Sequence, residues 1–203
     1  MRRLTVAHDY ICPWCYVGWQ QGKRLNEEFP EIELVWKGYE LLPEGLDYTP
    51  SPPDPDADKK PPIPSRLELL VAADGIVLPK RLRALSNSRR ALEGGEFALE
   101  AGRADAYHEA VYDAYWNGDV DIADLDVLAR LAEKAGFDAS AFLEALESRR
   151  FRDRIVEYDD PAHTAGVWNV PTWMFPERWI AEQPYSVVRA YAARFVGVEG
   201  GQS

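Results

Sequence analysis

The sequence predicts an α/β protein in which a large all-helical segment interrupts a single sheet-forming domain. Three observations carry this. A strand, a helix and a second strand fit into about forty residues at the start of the chain. A proline-rich stretch and then about ninety residues of helical periodicity follow. Two short strands and an amphipathic helix close the chain. The segments divide as residues 1–63, 64–158 and 159–203, the middle one being the helical insertion.

Residues Arg3 to Tyr10, "RLTVAHDY", alternate as a strand does, with Leu4, Val6 and His8 on one side. "CYVGWQQGKRLNEEF" follows as an amphipathic helix that stops before Pro30. "IELVWKGYEL", Ile32 to Leu41, resumes the strand pattern with Ile32, Leu34 and Trp36 on one face. Strand, helix and strand at this spacing form a βαβ unit, so the two strands are expected to be parallel. Prolines recur from Pro43 to Pro64 too densely for regular structure. From Ser65 to Tyr158 the pattern reads as helical throughout: Tyr107, Val111, Ala114 and Tyr115 share a stripe, as do Leu125, Leu128, Leu131, Ala132 and Ala135. Gly136 fits the position after a helix, and Asp138 fits an N-cap with Phe137 and Phe142 placed for a hydrophobic staple. Finally "VWNVPTWMF" and "RWIA" read as strands joined at Pro176 and Glu177, and Ser186 to Phe195 as a helix. This order is the layout of a thioredoxin fold interrupted by a helical domain.

With 203 residues, 46% of them hydrophobic, the chain can bury a core without cysteine staples. A bridge between Cys12 and Cys15, its only cysteines, would close a tiny loop and remove little unfolded-chain entropy. A formal charge of −11 argues against nucleic acid and anionic membrane surfaces as partners. The basic clusters Lys80–Arg83 and Ser88–Arg90 read as solvated helix faces. No apolar run approaches the ~20 residues needed to span a bilayer, and "MRRLTVAHDY" has no apolar leader core, so a cytoplasmic location is expected.

"CPWC" stands where a strand hands over to a helix. A cysteine there faces unpaired backbone N–H groups and the positive end of the helix dipole, which favour thiolate over thiol. Cys12 is therefore the expected nucleophile and Cys15, one turn further in, the buried resolving thiol. Pro13 suits the first helical position, where its missing N–H costs nothing. Trp14 flanks both sulfurs. A metal site would need two more ligands; His8, His108 and His163 are the only histidines, none is spaced as a zinc pair, and no second Cys-x-x-Cys exists, so no metal is expected.

"HDYICPWCYVG", "WKGYELLPEG", "AYHEAVYDAYWNGDVDIADLDVLARLAEKAGFD", "AGVWNVPTWMF" and "QPYSVVRAY" together resemble the DsbA-like thioredoxin superfamily, in particular its FrnE-type branch of CPWC-containing proteins. The resemblance implies that Cys12 and Cys15 are a redox pair and that Pro171 is the cis-proline packed against it. Without the resemblance, Pro171 reads as an ordinary trans proline at a strand start. A cis Pro171 would turn the backbone of Val170 towards the sulfurs, where an extended substrate can pair as an added strand. Pro13, Trp14 and Val170 are accordingly the expected substrate-binding residues.

Other polar and aromatic residues have plainer readings. His8 is expected to be a hydrogen-bonded structural histidine, Asp9 a cap of the strand-to-helix turn, and His163 a surface residue. Trp14, Tyr16, Trp19, Trp168 and Trp173 could line an apolar groove, but aromatics in a chain of this size are usually core.

The resulting expectation is a thiol-disulfide oxidoreductase acting on protein or small-molecule thiols and disulfides. It needs no cofactor beyond the Cys12–Cys15 disulfide, and an external redox partner resets it. Two rivals are a glutathione-dependent isomerase or transferase, like the kappa-class transferases and hydroxychromene carboxylate isomerases, and a non-enzymatic chaperone-like binding module. The first generally carries serine at the position of Cys12.

Overall fold

The computed structural model describes residues 1–43, 64–79, 86–157 and 160–197. Most of the proline-rich connection and the Lys80–Arg83 cluster lie outside them. Among the described residues, five strands, β1 (Arg2–His8), β2 (Ile32–Glu40), β3 (Val156–Glu157), β4 (Thr172–Met174) and β5 (Trp179–Ala181), form one sheet in the order β3-β2-β1-β4-β5. β1 and β2 are parallel, as the βαβ spacing predicts. β1 is central, so Leu4, Val6 and His8 on one face and Ala7 on the other are all buried. Strand β3 falls inside the stretch read from sequence as wholly helical and pairs in parallel with Tyr39 and Glu40. Two residues are too few to show a period of two, so the pattern could not announce it.

Helix α1 (Pro13–Glu28) begins with Pro13 after an extended Cys12 and ends just before Pro30. It lies close against β2 because Gly22 has no side chain: a Cβ there would stand 2.9 Å from the Trp36 ring. The helical segment comprises α2 (Arg66–Asp74), α3 (Arg89–Glu100), α4 (Ala104–Tyr112), α5 (Leu125–Lys134) and α6 (Ala139–Glu147). α4 runs on into a π-helical turn over Asp113–Asn117. The helix ends follow from local chemistry. Ser65 and Glu68 form a reciprocal capping box at the start of α2. α5 ends with Gly136 at φ +86°, and the Phe137 N–H donates to the Ala132 carbonyl at 2.9 Å. The Asp138 carboxylate accepts from the Ala141 N–H at 2.8 Å, while Phe137 and Phe142 both pack edge-on against Phe97. The stripe Tyr107, Val111 and Tyr115 is fully buried, with Leu128 and Phe142 beside it in the core.

Helices α7 (Asp160–Thr164) and α8 (Tyr185–Val196) flank the last two strands. Two polar junctions tie the helical segment to the rest of the fold. At one, the Asp74 carboxylate ending α2 accepts from the Tyr185 N–H of α8 at 2.9 Å and from Gln21 Nε2 of α1 at 2.6 Å. The other corrects the sequence reading of Ser88–Arg90 as a solvated face: Ser88 and Arg89 are buried. The Arg89 guanidinium bridges Glu40 (2.6 Å) and Glu157 (2.9 Å), and it is drawn inside because the buried Glu40 carboxylate needs a counter-charge there.

Gly94 of α3 gives a direct test of packing in the helical segment, because a Cβ there would lie 2.7 Å from the Tyr107 ζ carbon and 2.8 Å from Phe142. Alanine improves helix propensity by about 0.5–1 kcal/mol, but overpacking costs about 1–3 kcal/mol. Gly94→Ala is expected to lower stability by about 1–2 kcal/mol, read as a lower urea midpoint with an unchanged slope.

Candidate active site

Strand register brings two distant segments together. Val6 pairs with Trp173 and Ala7 with Thr172 in the antiparallel β1–β4 ladder. Pro171, the residue before Thr172, therefore lies beside the end of β1, where the chain turns into "CPWC". The Val170–Pro171 peptide bond is cis. The Cys12 thiol donates to the Val170 carbonyl at 3.5 Å. Gly18, one turn beyond Cys15, makes room for the proline, since a Cβ at 18 would stand 2.9 Å from Pro171 Cγ.

The two sulfurs differ. Both cysteines are free; Cys12 is 5% exposed and Cys15 fully buried. Burial pushes the Cys15 thiol well above its ordinary pKa, and the neighbouring Cys12 sulfur adds to the shift. The Asp9 N–H, which donates to Cys15 Sγ at 3.4 Å, acts in the opposite direction. Cys15 is thus held as a protonated thiol behind the more accessible Cys12.

Asp9 caps the turn as expected and reaches further. Its carboxylate accepts from the Ile11 N–H (3.2 Å), the Leu41 N–H (2.7 Å) and the Ser88 hydroxyl (2.9 Å). Those bonds favour the anion, but complete burial outweighs them and raises the pKa to about 6. Burial likewise raises Glu40 to about 7 despite its Arg89 partner.

Behind β1 and α1 sits a fully buried histidine–tyrosine cluster. His8 Nδ1 and the Tyr112 hydroxyl are hydrogen-bonded at 3.0 Å, and the Tyr10 hydroxyl and His108 Nδ1 at 2.6 Å. Burial keeps both imidazoles neutral: His8 is well below the usual histidine range, with His108 adding to the effect, and His108 is lowered to about 3. His8 therefore has the structural role expected of it. Trp19 stacks on Tyr112 at 5.4 Å, and Trp19, Tyr16 and Trp173 are core. Trp168 is not core, being 66% exposed, and His163 is exposed beside it.

Pro13 and Trp14 begin α1 beside the sulfurs. The Arg66 guanidinium lies 5.4 Å from the centre of the Trp14 ring and pairs with Glu182 at 2.9 Å. Sequence reasoning missed Arg66, Glu182 and Ser88 as neighbours of the site. All three are contributed across element boundaries, and none carries a local signal. Among the described residues no group of three or more His, Cys, Asp or Glu side chains is placed to hold a metal, and no helix is long and apolar enough to cross a membrane.

The family model of the DSBA-like thioredoxin domain matches residues 3–184. The chain belongs to this family. The DSBA-like chain is also 31% identical over 157 residues to the uncharacterized protein YwbO of Bacillus subtilis (strain 168), covering 74% of each. Its fold matches that of the probable DsbA oxidoreductase SCO1869 from Streptomyces coelicolor, with a TM-score of 0.73 and 24% identity over 100% of this chain and 93% of that one. A 2-hydroxychromene-2-carboxylate isomerase matches with a TM-score of 0.65 and 22% identity over 96% of each chain. The cytosolic disulfide reductase DsbM from Pseudomonas aeruginosa, solved also with GSH, matches with a TM-score of 0.64 and 18% identity over 97% of this DSBA-like chain and 100% of its own.

The buried carboxyls set a pH dependence. A group whose pKa is raised on folding contributes stability that is complete below its unfolded pKa and is lost as pH rises through the folded value. For Asp9 the window runs from the ordinary value of 3.8 to about 6, a difference on the order of 2–3 kcal/mol. Asp9→Asn is therefore expected to lose less stability than the parent between pH 4 and pH 7, measured by denaturant unfolding across that range.

Proposed function

We propose that this protein is a thiol-disulfide oxidoreductase working through Cys12 and Cys15. The observation that carries the reading is the pairing of a more accessible and a fully buried thiol at one helix start, with the first facing the carbonyl of a cis Val170–Pro171 peptide. In the reducing direction the Cys12 thiolate attacks a substrate disulfide. The substrate S–S bond breaks, one substrate thiolate leaves and takes a proton, and a Cys12–substrate disulfide forms. Cys15 then gives up its proton and attacks Cys12 Sγ, releasing the second substrate thiolate and leaving the Cys12–Cys15 disulfide. An external dithiol or small thiol restores the pair, so no cofactor is required beyond the two sulfurs. The oxidising direction is the reverse. Val170 offers its backbone to an extended substrate, with Pro13 and Trp14 bordering the approach.

Membership of the DSBA-like family and the likeness to DsbM, a cytosolic reductase solved with GSH, support protein or small-molecule thiols as substrates and a cytoplasmic setting. The structural likeness to 2-hydroxychromene-2-carboxylate isomerase favours a second reading, a glutathione-dependent isomerase. The presence of both cysteines speaks against it, because an isomerase has no use for a resolving thiol. Absence of glutathione binding in calorimetry would dispose of it.

In the deciding experiment, Cys12→Ser is expected to drop disulfide exchange to the buffer background, while Cys15→Ser completes the first step and accumulates a mixed disulfide visible by mass spectrometry. Full activity in Cys12→Ser would sink the reading. Limited alkylation should modify Cys12 before Cys15. Equilibration in glutathione buffers then assigns direction: a potential near −270 mV marks a reductase, and one near −120 mV a disulfide donor.

A further inference from the structure

Five large hydrophobic residues stand exposed among those described, and two of them, Trp168 (66%) and Trp179 (44%), line one cleft of about 210 Å³. Asn169 and Thr172 line it too, so it begins directly beside Val170 and Pro171. Gly166, at φ +83°, keeps it open on the far side: a Cβ there would touch the Trp179 ring at 3.4 Å. The Trp168 ring is propped by stacking on His163 at 4.7 Å and 18°. The rest of the sheet buries its aromatics, with Trp36 and Trp173 at 4% and 0% exposure. Exposed indoles held in place at the mouth of a reactive centre suit recognition, since they offer large contact area at low entropic cost.

Geometry identifies the occupant. A substrate cysteine bonded to Cys12 lies beside Val170, whose carbonyl is 3.5 Å from Cys12 Sγ. In extended chain, residues two apart share a face and are separated by roughly 6.6 Å. Trp168 precedes Val170 by two residues, so a substrate running along this segment would carry its residue two positions from the cysteine towards Trp168.

We propose that the Trp168–Trp179 cleft is a subsite for an aromatic side chain of a polypeptide substrate, two residues from its reactive cysteine. This rests on the oxidoreductase reading and extends it to the substrate's sequence.

The test uses the reduced protein and short peptides whose single cysteine is capped as a thionitrobenzoate disulfide. Tyr, Ala or Asp is placed two residues before or after that cysteine. Cys12 attacks the peptide sulfur, coloured thionitrobenzoate leaves, and Cys15 then frees the reduced peptide. Each rate is divided by that for the symmetric thionitrobenzoate disulfide in the same variant, so a general loss of sulfur reactivity cancels. Tyr on one side is expected to react roughly fivefold to tenfold faster than Ala. The ratio should fall towards one in Trp168→Ala and Trp179→Ala and return in Trp168→Phe. Equal Tyr and Ala rates in the parent, or a preference that survives both alanine variants, overturns the subsite. So does a parent dimer that Trp168→Ala dissociates in sedimentation, because a second copy would then cover the cleft. A parent inert to every disulfide removes the oxidoreductase reading itself, whereas brisk reaction with the symmetric disulfide and no aromatic preference removes the subsite alone.

Discussion

The site depends on the pairing of β4 with the far end of β1. Residues 165 to 167 positions apart in the chain meet there, and a ladder whose side chains alternate with period two does not tolerate a slip of one residue. Such a slip would turn Trp173 out of the core and carry Val170 away from Cys12. The register is guarded by what lies on either side of Val6: Trp36 on one neighbour and Trp173 on the other, their rings 6.0 Å apart. Packing of two indoles over a central valine fixes the position of a carbonyl oxygen next to a sulfur.

Around that arrangement the protein keeps an unusual amount of ionisable chemistry out of water. Cys15, Asp9, His8 and His108 all take their neutral forms more readily than in solution, and for each the largest cause is burial. Glu40, by contrast, has a buried counter-ion in Arg89. The common consequence is a low-dielectric setting in which any charge that develops on sulfur interacts strongly with the nearest dipole, such as the Asp9 N–H.

Much of this was legible in the sequence, for physical reasons that differ between elements. The βαβ start, the stop before Pro30, the Asp138 cap and the buried Tyr107 stripe are local patterns, and local patterns survive in a linear string. The strand-to-helix junction was likewise local, and it placed Cys12 at the helix start with Cys15 buried one turn further in. The cis bond at Pro171 did not follow from its neighbours and came only through resemblance. β3 was too short to show alternation. Ser88 and Arg89 looked solvated because a basic cluster reveals nothing of the buried acids, Asp9 and Glu40, that draw it in. Trp168 offered no local sign that it would stay outside while Trp173, five residues on, fills the core.

The Asp74 carboxylate has a consequence for how the chain is partitioned. It belongs to the first helix of the interrupting segment, yet it supplies the acceptor for the backbone of α8 and holds a glutamine of α1. Sequence position assigns this residue to an insertion, but its bonds assign it to the host. Excising the helical segment would leave the Tyr185 N–H of the last helix without this acceptor and take away one of the two acceptors of Gln21. The two parts are better regarded as one unit that shares its polar junctions than as a host carrying a detachable insert.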